Sequence, residues 1–412
     1  MSNPAIFSNL LYPQLKVIED ESVSRILPLQ SFSHIYVFGD SVSGDVNTPT
    51  IVNSYKDFIN QFGNPSTIAD GEAGKEQIVA DSIKAIFEND TTANLYFIRV
   101  DNDGGYEPGL ATYEAAIDAL QVEDEYPGGF MIAPGAGSIT AVGNKLTAKA
   151  EELDFMAFVD PDEDLMSATT KPAVAAIQAD ADRYDNSSTG HVAYYYPYMV
   201  NNEDRLVAPS AIAASVATAR IKEQGYKPNA GLRYIIKGVK EPKWQVTNAE
   251  QGVLNPEGIN VIRKFRGTGN VIWGMRTRQT AVLYRYVHTR VIANVVNNTF
   301  RRSMELKLQL FDLIDGQGRL LARIEDAAYS VGRQLYQSGL LFGASEADAF
   351  LVKADFENNT ADQLQLGYVL IEFEYAVTPA VEKMAVVTRL ANIGQVGISN
   401  GQGGNAGNGL TL

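Results

Sequence analysis

Gly129-Phe-Met-Ile-Ala133, Asp154-Phe-Met-Ala-Phe-Val159 and His191-Val-Ala-Tyr-Tyr-Tyr-Pro-Tyr198 are three short apolar runs separated by helical patterns. Ser138–Glu152 and Lys171–Tyr184 supply those helices, and Ser210–Gln224 follows the third run. Runs this short and this apolar read as strands buried on both faces. Strands alternating with helices predict a parallel sheet covered on both sides.

The same grammar extends toward the N-terminus. Asn94-Leu-Tyr-Phe-Ile-Arg-Val100 is a further buried strand and Ala111–Gln121 a helix. Phe32-Ser-His-Ile-Tyr-Val-Phe38 alternates as a strand does, and Thr50-Ile-Val-Asn is another short strand. Ser54 caps a helix with Tyr55, Phe58, Ile59 and Phe62 on one face, and Gly63 ends it. A helix over Gly74–Asn89 turns Ile78, Val79, Ile83, Ile86 and Phe87 inward. Residues 1–30 do not read as the start of a compact domain. Leu15-Lys16-Val17-Ile18 is an extended segment behind Pro13 that pairs either with a neighbouring subunit or as an ordinary first strand.

Toward the C-terminus, Gly225–Arg263 reads as a loop-rich link with Pro228, Pro242 and Pro256. A second structured block follows. Asn270–Trp273 is a strand, and Leu283–Met304 carries Val287, Val291, Val295 and Phe300 at helical spacing. Arg319–Gln337 is an amphipathic helix with Leu320, Ile324, Ala328, Val331 and Leu335 inward. Its outer stripe holds Arg319, Arg323, Asp326, Ser330, Arg333 and Gln337. Ala349–Ala354, Tyr368–Val377 and Lys383–Leu390 read as strands, the last including Val386 and Val387; a Gly/Asn-rich tail begins at Gly394. The fold class is thus α/β joined to α+β, divided at 1–25, 26–100, 101–260, 261–380 and 381–412.

Composition narrows the chemistry. The 412-residue chain has no cysteine, which excludes disulfides, thiol catalysis and cysteine–zinc sites. His34, His191 and His288 are scattered, and none has a second histidine at helical spacing. No cofactor or metal is expected. No run nears the roughly 20 apolar residues of a membrane span, and Met-Ser-Asn-Pro-Ala-Ile-Phe has no leader pattern. The expectation is a chain made and folded in the cytoplasm, without membrane insertion. Gly39-Asp40-Ser41-Val42-Ser43 resembles the nucleophile block of GDSL-type esterases, with Ser41 as nucleophile. That chemistry needs a histidine held by an aspartate three residues earlier, and the three positions concerned are Ser31, Ser188 and Arg285. The block reads as a strand-ending turn, and a Ser41 hydrolase is the alternative function. Asp160-Pro-Asp-Glu-Asp164 reads as a solvated acidic loop.

Charge is segregated. From Asp101 to Gly190 there are 18 Asp/Glu against 4 Lys/Arg, whereas Arg263–Met304 holds nine Lys/Arg and no acid. So basic a run, in a chain of net charge −15, demands an acidic partner or an acidic neighbouring surface. Nucleic acid is not the expected partner, because the rest of the chain repels phosphate.

The order of motifs resembles the contractile tail sheath proteins of phage tails, R-type pyocins and related injection systems. The blocks are Tyr12-Pro13 with Val17-Ile18-Glu19-Asp20, Asn47-Thr-Pro, and Ser54-Tyr-Lys-Asp-Phe58 with Phe62-Gly63. Leu206-Val-Ala-Pro-Ser210, Asn248-Ala-Glu-Gln251 and Leu254-Asn-Pro-Glu-Gly-Ile-Asn260 follow. Val271-Ile-Trp-Gly-Met-Arg-Thr277 and Leu340-Leu-Phe-Gly-Ala-Ser-Glu-Ala-Asp-Ala-Phe350 complete the series. The resemblance implies a structural, non-enzymatic subunit stacked in hexameric rings around an inner tube, which contracts to drive the tube through an envelope. It implies a subtilisin-like but non-proteolytic outer middle domain (101–260), a tube-facing C-terminal domain (261–380) and linking arms at 1–25 and 381–412. Partners would be copies of itself, the tube protein, and baseplate and terminator proteins, within a particle assembled in the host or producer cytoplasm. Arg319, Arg323, Asp326 and Arg333 become candidate tube-facing residues. Leu15, Lys16, Val17, Ile18, Val386 and Val387 become candidate inter-subunit residues.

Overall fold

The computed structural model describes residues 28–65, 75–102, 108–121, 126–167, 169–184, 187–386 and 388. It separates into two units, Met1–Thr378 and Pro379–Leu412, and every element below belongs to the first. The strands are β1 (His34–Gly39), β2 (Thr50–Val52), β3 (Asn94–Arg99), β4 (Gly129–Ile132), β5 (Met156–Val159) and β6 (Val192–Tyr196). They continue as β7 (Met199–Val200), β8 (Leu206–Val207), β9 (Glu241–Pro242), β10 (Ile259–Phe265), β11 (Gly269–Ile272), β12 (Phe350–Lys353) and β13 (Glu372–Tyr375). The helices are α1 (Tyr55–Phe62), α2 (Glu76–Asn89), α3 (Leu110–Asp118), α4 (Thr140–Leu153), α5 (Glu163–Ser167), α6 (Val174–Ala181) and α7 (Pro209–Gln224). After them come α8 (Asn248–Leu254), α9 (Val287–Arg301), α10 (Met304–Lys307), α11 (Arg319–Gln337), α12 (Glu346–Ala349) and α13 (Ala361–Gln365).

Eight strands form one sheet, in the order β11-β10-β6-β5-β4-β1-β3-β2. The six inner strands run parallel, and β2 and β11 lie antiparallel at the two edges. The chain steps from β1 outward to β3, then returns past β1 to β4. Its winding direction therefore reverses at β1.

The apolar runs decide which helix covers which face. On one face Ile35, Val37, Phe130 and Phe158 pack with Val79 and Ile83 of α2, Ile212 of α7 and Val291 and Val295 of α9. On the other, Tyr36, Phe38 and Met131 pack with Tyr113 and Ile117 of α3 and Val142 and Leu146 of α4. Both faces are covered, as the strand–helix alternation predicts. Each large apolar side chain buried here contributes roughly 1.5–3 kcal/mol, so the stability is concentrated in the centre of the sheet. The Ser54 cap is formed: its side chain accepts the Asp57 amide, and Gly63 ends α1 at φ 83°.

A second, smaller core lies C-terminal. The inner face of α11 (Ala328, Val331, Leu335) packs with Val296 of α9 and with Phe350 and Val352 of the antiparallel ribbon β12–β13. Gly332 permits this contact, because a Cβ there would come within 2.3 Å of the Phe350 ring. Helix α9 serves both cores, with Val291 and Val295 in the first and Val296 in the second.

The structure departs from the sequence reading in three places. Gly225–Arg263 is not only a link: Ile259–Phe265 forms β10 against β6, in parallel. The sheet therefore draws strands from the 26–100, 101–260 and 261–380 stretches alike. Buried Asn260 disguised this strand; its side chain bonds the Tyr194 and Arg276 carbonyls and accepts the Arg276 amide. The Tyr368–Val377 strand is shorter, Glu372–Tyr375. No strand forms over Lys383–Val386, so Val386 is not in a strand; Val387 lies outside the described residues, as do Leu15, Lys16, Val17 and Ile18.

Candidate functional site

The basic run 263–304 is largely turned into the protein. Arg276, Arg278 and Arg290 are 9%, 5% and 4% exposed. Arg278 pairs with Asp182 at 2.6 Å and donates to the Glu257 carbonyl. Arg301 pairs with Asp154. Arg263 donates to Asn248 and Gln251, both at 2.9 Å. Part of the acidic complement that the run required is thus supplied by this chain's own Asp154 and Asp182. Lys264 and Arg266 of the run remain exposed.

Helix α9 explains the inward turn. Its polar side chains recur at 290, 294, 297, 298 and 301, one stripe facing the sheet. Asn294 donates to the Phe155 carbonyl at 2.9 Å and Asn298 to the Asp154 carbonyl at 2.9 Å. Asn297 and Arg301 both hold the Asp154 carboxylate. Arg290 donates to Asn294 at 2.8 Å and to the Thr189 carbonyl at 3.2 Å, and lies 5.1 Å over the Tyr284 ring. His191 completes the network, with Nδ1 2.7 Å from Thr189 Oγ1 and Nε2 3.2 Å from Asn294 Oδ1. Burial, then the Arg290 charge, pushes the His191 pKa down to about 3, against the Asn294 bond. The imidazole is held neutral as a structural group.

The catalytic candidates are dispersed. Ser41 is 3% exposed and donates its hydroxyl to the Ser43 carbonyl at 3.0 Å. His34 starts the same strand that Asp40 follows, roughly 20 Å away at 3.3 Å per residue. The acidic loop is less solvated than the sequence suggests. Asp160 is buried, accepting the Ser210 amide at 2.8 Å and its hydroxyl at 2.7 Å. Burial raises its pKa to about 7 in spite of those bonds. Glu163 pairs with Lys75 at 2.6 Å and Asp162 with Arg183 at 3.7 Å. Among the described residues no group of three or more His, Cys, Asp or Glu is arranged to hold a metal.

The outward surface lies on α11. Its inner residues Leu320, Ile324, Ala328, Val331 and Leu335 are all buried. Arg319, Arg323, Asp326 and Arg333 are all exposed, along one side. Two of the arginines already have carboxylates nearby: Arg323 with Asp312 at 3.2 Å and Arg333 with Glu346 at 3.5 Å. Arg333 also stacks on Tyr329, 5.1 Å from the ring. Asp315 caps the helix through the Arg319 and Leu320 amides, which hold its carboxyl below the usual range. Sequence spacing found the stripe but not Asp312 or Glu346, which lie on flanking segments.

Residues 107–278 match the family described as phage tail sheath protein central domain. The central part of the chain thus resembles the contractile tail sheath proteins. A tail sheath protein of Burkholderia phage BcepMu is 24% identical over 275 residues, covering 64% of this chain and 55% of that relative. The matched stretch thus spans about half the length of that relative. Among solved structures, a sheath complex of the extracellular contractile injection system PVC, in the contracted state, superposes with a TM-score of 0.68 at 22% identity. That match covers 92% of this chain and 97% of the other. The anti-feeding prophage baseplate in its contracted state gives 0.70 at 21% identity, over 93% and 100% of the two chains. A sheath tail protein from Listeria innocua gives 0.55 at 10% identity, over 84% and 96%. Over about nine-tenths of the chain the fold is thus like that of solved sheath proteins.

Proposed function

We propose that this chain is a structural sheath subunit. It polymerises in hexameric rings around an inner tube, contracts to drive the tube through a target envelope, and catalyses no reaction. The observation that carries this reading is the central-domain match together with a sheath fold over more than nine-tenths of the chain. The middle portion is subtilisin-like in architecture without the nucleophile and partnered histidine of a protease. Partners are further copies of the chain, a tube protein, a baseplate and a terminator. The particle is a phage tail or tail-like injection device assembled in the producing cell.

The α11 stripe is the tube-facing element in this reading. A helix presents its charges at one radius, and exposed ion pairs worth about 0–1 kcal/mol each can be exchanged when the sheath moves. Because Arg323 and Arg333 have weak, exposed partners in Asp312 and Glu346, docking would trade one carboxylate for another. Ribbon β12–β13 is the acceptor for the terminal arms. Among the described residues its two strands pair with each other, and just past the end of β13 Val377 is bridged by Leu341; such a ribbon gains from added strands. Leu15–Ile18 and the segment around Val386 and Val387 would supply them.

The decisive experiment is co-expression with the tube protein, followed by negative-stain microscopy. Striated sheathed tubes are expected. A small, soluble oligomer under all conditions would overturn the reading. Removal of residues 1–20 should abolish ordered sheath and leave a folded monomer.

A further inference from the structure

The sheath role makes no use of the crevice at the carboxyl ends of β1 and β4, where the winding reverses. In open α/β sheets this is where ligands are held. Three close approaches shape it. A Cβ on Gly39 would come within 2.8 Å of Val79, so the end of β1 touches α2 directly. Glu76 lies three residues before Val79, one turn nearer the helix start on the same side, and so faces Asp40, the residue after Gly39. On the far side, a Cβ on Gly135 would lie 3.1 Å from Ile78 and 3.2 Å from Lys75, so the loop leaving β4 closes on the same helix end.

Two carboxylates are enclosed there. Asp40 is 0% exposed and Glu76 8% exposed. Asp40 Oδ1 accepts the Ser41 amide at 2.8 Å. Asp40 Oδ2 and Glu76 Oε2 are buried and have no hydrogen-bond donor. Lys75 pairs with Glu163 at 2.6 Å. Arg99 donates to the Gly44 carbonyl at 2.7 Å, while its Nε is buried without a hydrogen-bond partner and its charge reaches Asp40. Buried carboxylate oxygens without donors are costly, and two such anions side by side repel. Burial first, then the Glu76 charge, lifts the Asp40 pKa to about 6, against the Ser41 and Asn102 bonds and the Arg99 charge.

We propose that Asp40 and Glu76 hold a hard divalent cation, Mg²⁺, which binds the two orphaned oxygens and tethers α2 to the end of β1. Mg²⁺ suits a pair rather than a cage, since it is commonly held by one or two carboxylates and keeps several waters. The site is independent of the tube-facing reading of α11 and of assembly.

The test is thermal unfolding of the full chain at pH 8, in EDTA and in excess MgCl₂, with calorimetric titration of Mg²⁺. The wild type should melt about 2 °C higher with Mg²⁺ and bind one ion per chain. Asp40→Asn and Glu76→Gln should each lose that shift. In EDTA each should melt no lower than the wild type, because one of two repelling charges is gone. Should Asp40→Asn fail to fold, Glu76→Gln carries the test. The proposal is overturned by a wild type indifferent to Mg²⁺, or by variants that keep the full shift, which would place the ion elsewhere. A wild type stabilised only as pH falls from 8 to 6, with no Mg²⁺ effect, would also overturn it and indicate a shared proton.

Discussion

Helices α9 and α11 both carry arginines at regular spacing beside an apolar stripe, and they use them in opposite ways. In α9 the polar stripe faces inward and binds carbonyls and a buried carboxylate of the 154–155 turn. In α11 it faces outward, and its ion pairs are half exposed. The difference teaches that positive charge alone does not mark a docking surface. What separates the helices is the company of the arginines: asparagines, which satisfy buried backbone, in α9, and Asp, Ser and Gln on a free face in α11.

The comparison can be broken first at Asn294. Asn294→Leu strands the Phe155 carbonyl, His191 and Arg290 together, and should cost about 2–4 kcal/mol in urea unfolding. A loss below 1 kcal/mol would show that the seam is dispensable. Asp154→Ala comes next, at about 2 kcal/mol, because Asn297 and Arg301 lose their shared acceptor; the residue also sits at φ 52°. A third probe is pH. His191 has a folded pKa near 3 against 6.5 unfolded, so the unfolded chain binds more protons between these values. Stability from neutral His191 is therefore whole above about 6.5 and lost as pH falls toward 3. Asp40 and Asp160, raised to about 6 and about 7, act oppositely over part of that window. His191→Gln should flatten the acid limb of the melting-temperature profile; an unchanged limb would remove His191 from the seam's energetics. The smallest expected effect on folding is at α11. Arg323→Glu with Arg333→Glu should alter stability by no more than about 1 kcal/mol, while the yield of sheath assembled on tubes collapses. Normal yield would end the tube-facing assignment.

Much of the fold was legible because it rests on local periodicity. The bounds of α11 follow from its apolar spacing, and Ser54 and Gly63 mark α1 through capping chemistry alone. β10 was hidden because Asn260 sits at its second position, close behind Pro256 and Gly258, and its place depends on long-range bonds to Tyr194 and Arg276. The stripe on α11 could be read, but the inward fate of Arg276, Arg278 and Arg290 could not. Burial of a cation depends on partners such as Asp182 and Thr189, about a hundred residues away. The signal that could have revealed it was Asn294 and Asn298, four apart in a helix otherwise rich in valine.

The way α9 is fastened has a mechanical consequence. Its bonds to the 154–155 turn are spread over about two helical turns. A pull along the helix axis would therefore strain Asn294, Asn297, Asn298 and Arg301 at once. Bonds loaded in parallel yield together or not at all, whereas a two-stranded ribbon pulled from one end opens rung by rung. A force entering through the C-terminal core would thus reach the large sheet through a stiff strut, leaving ribbon β12–β13 as the more compliant joint.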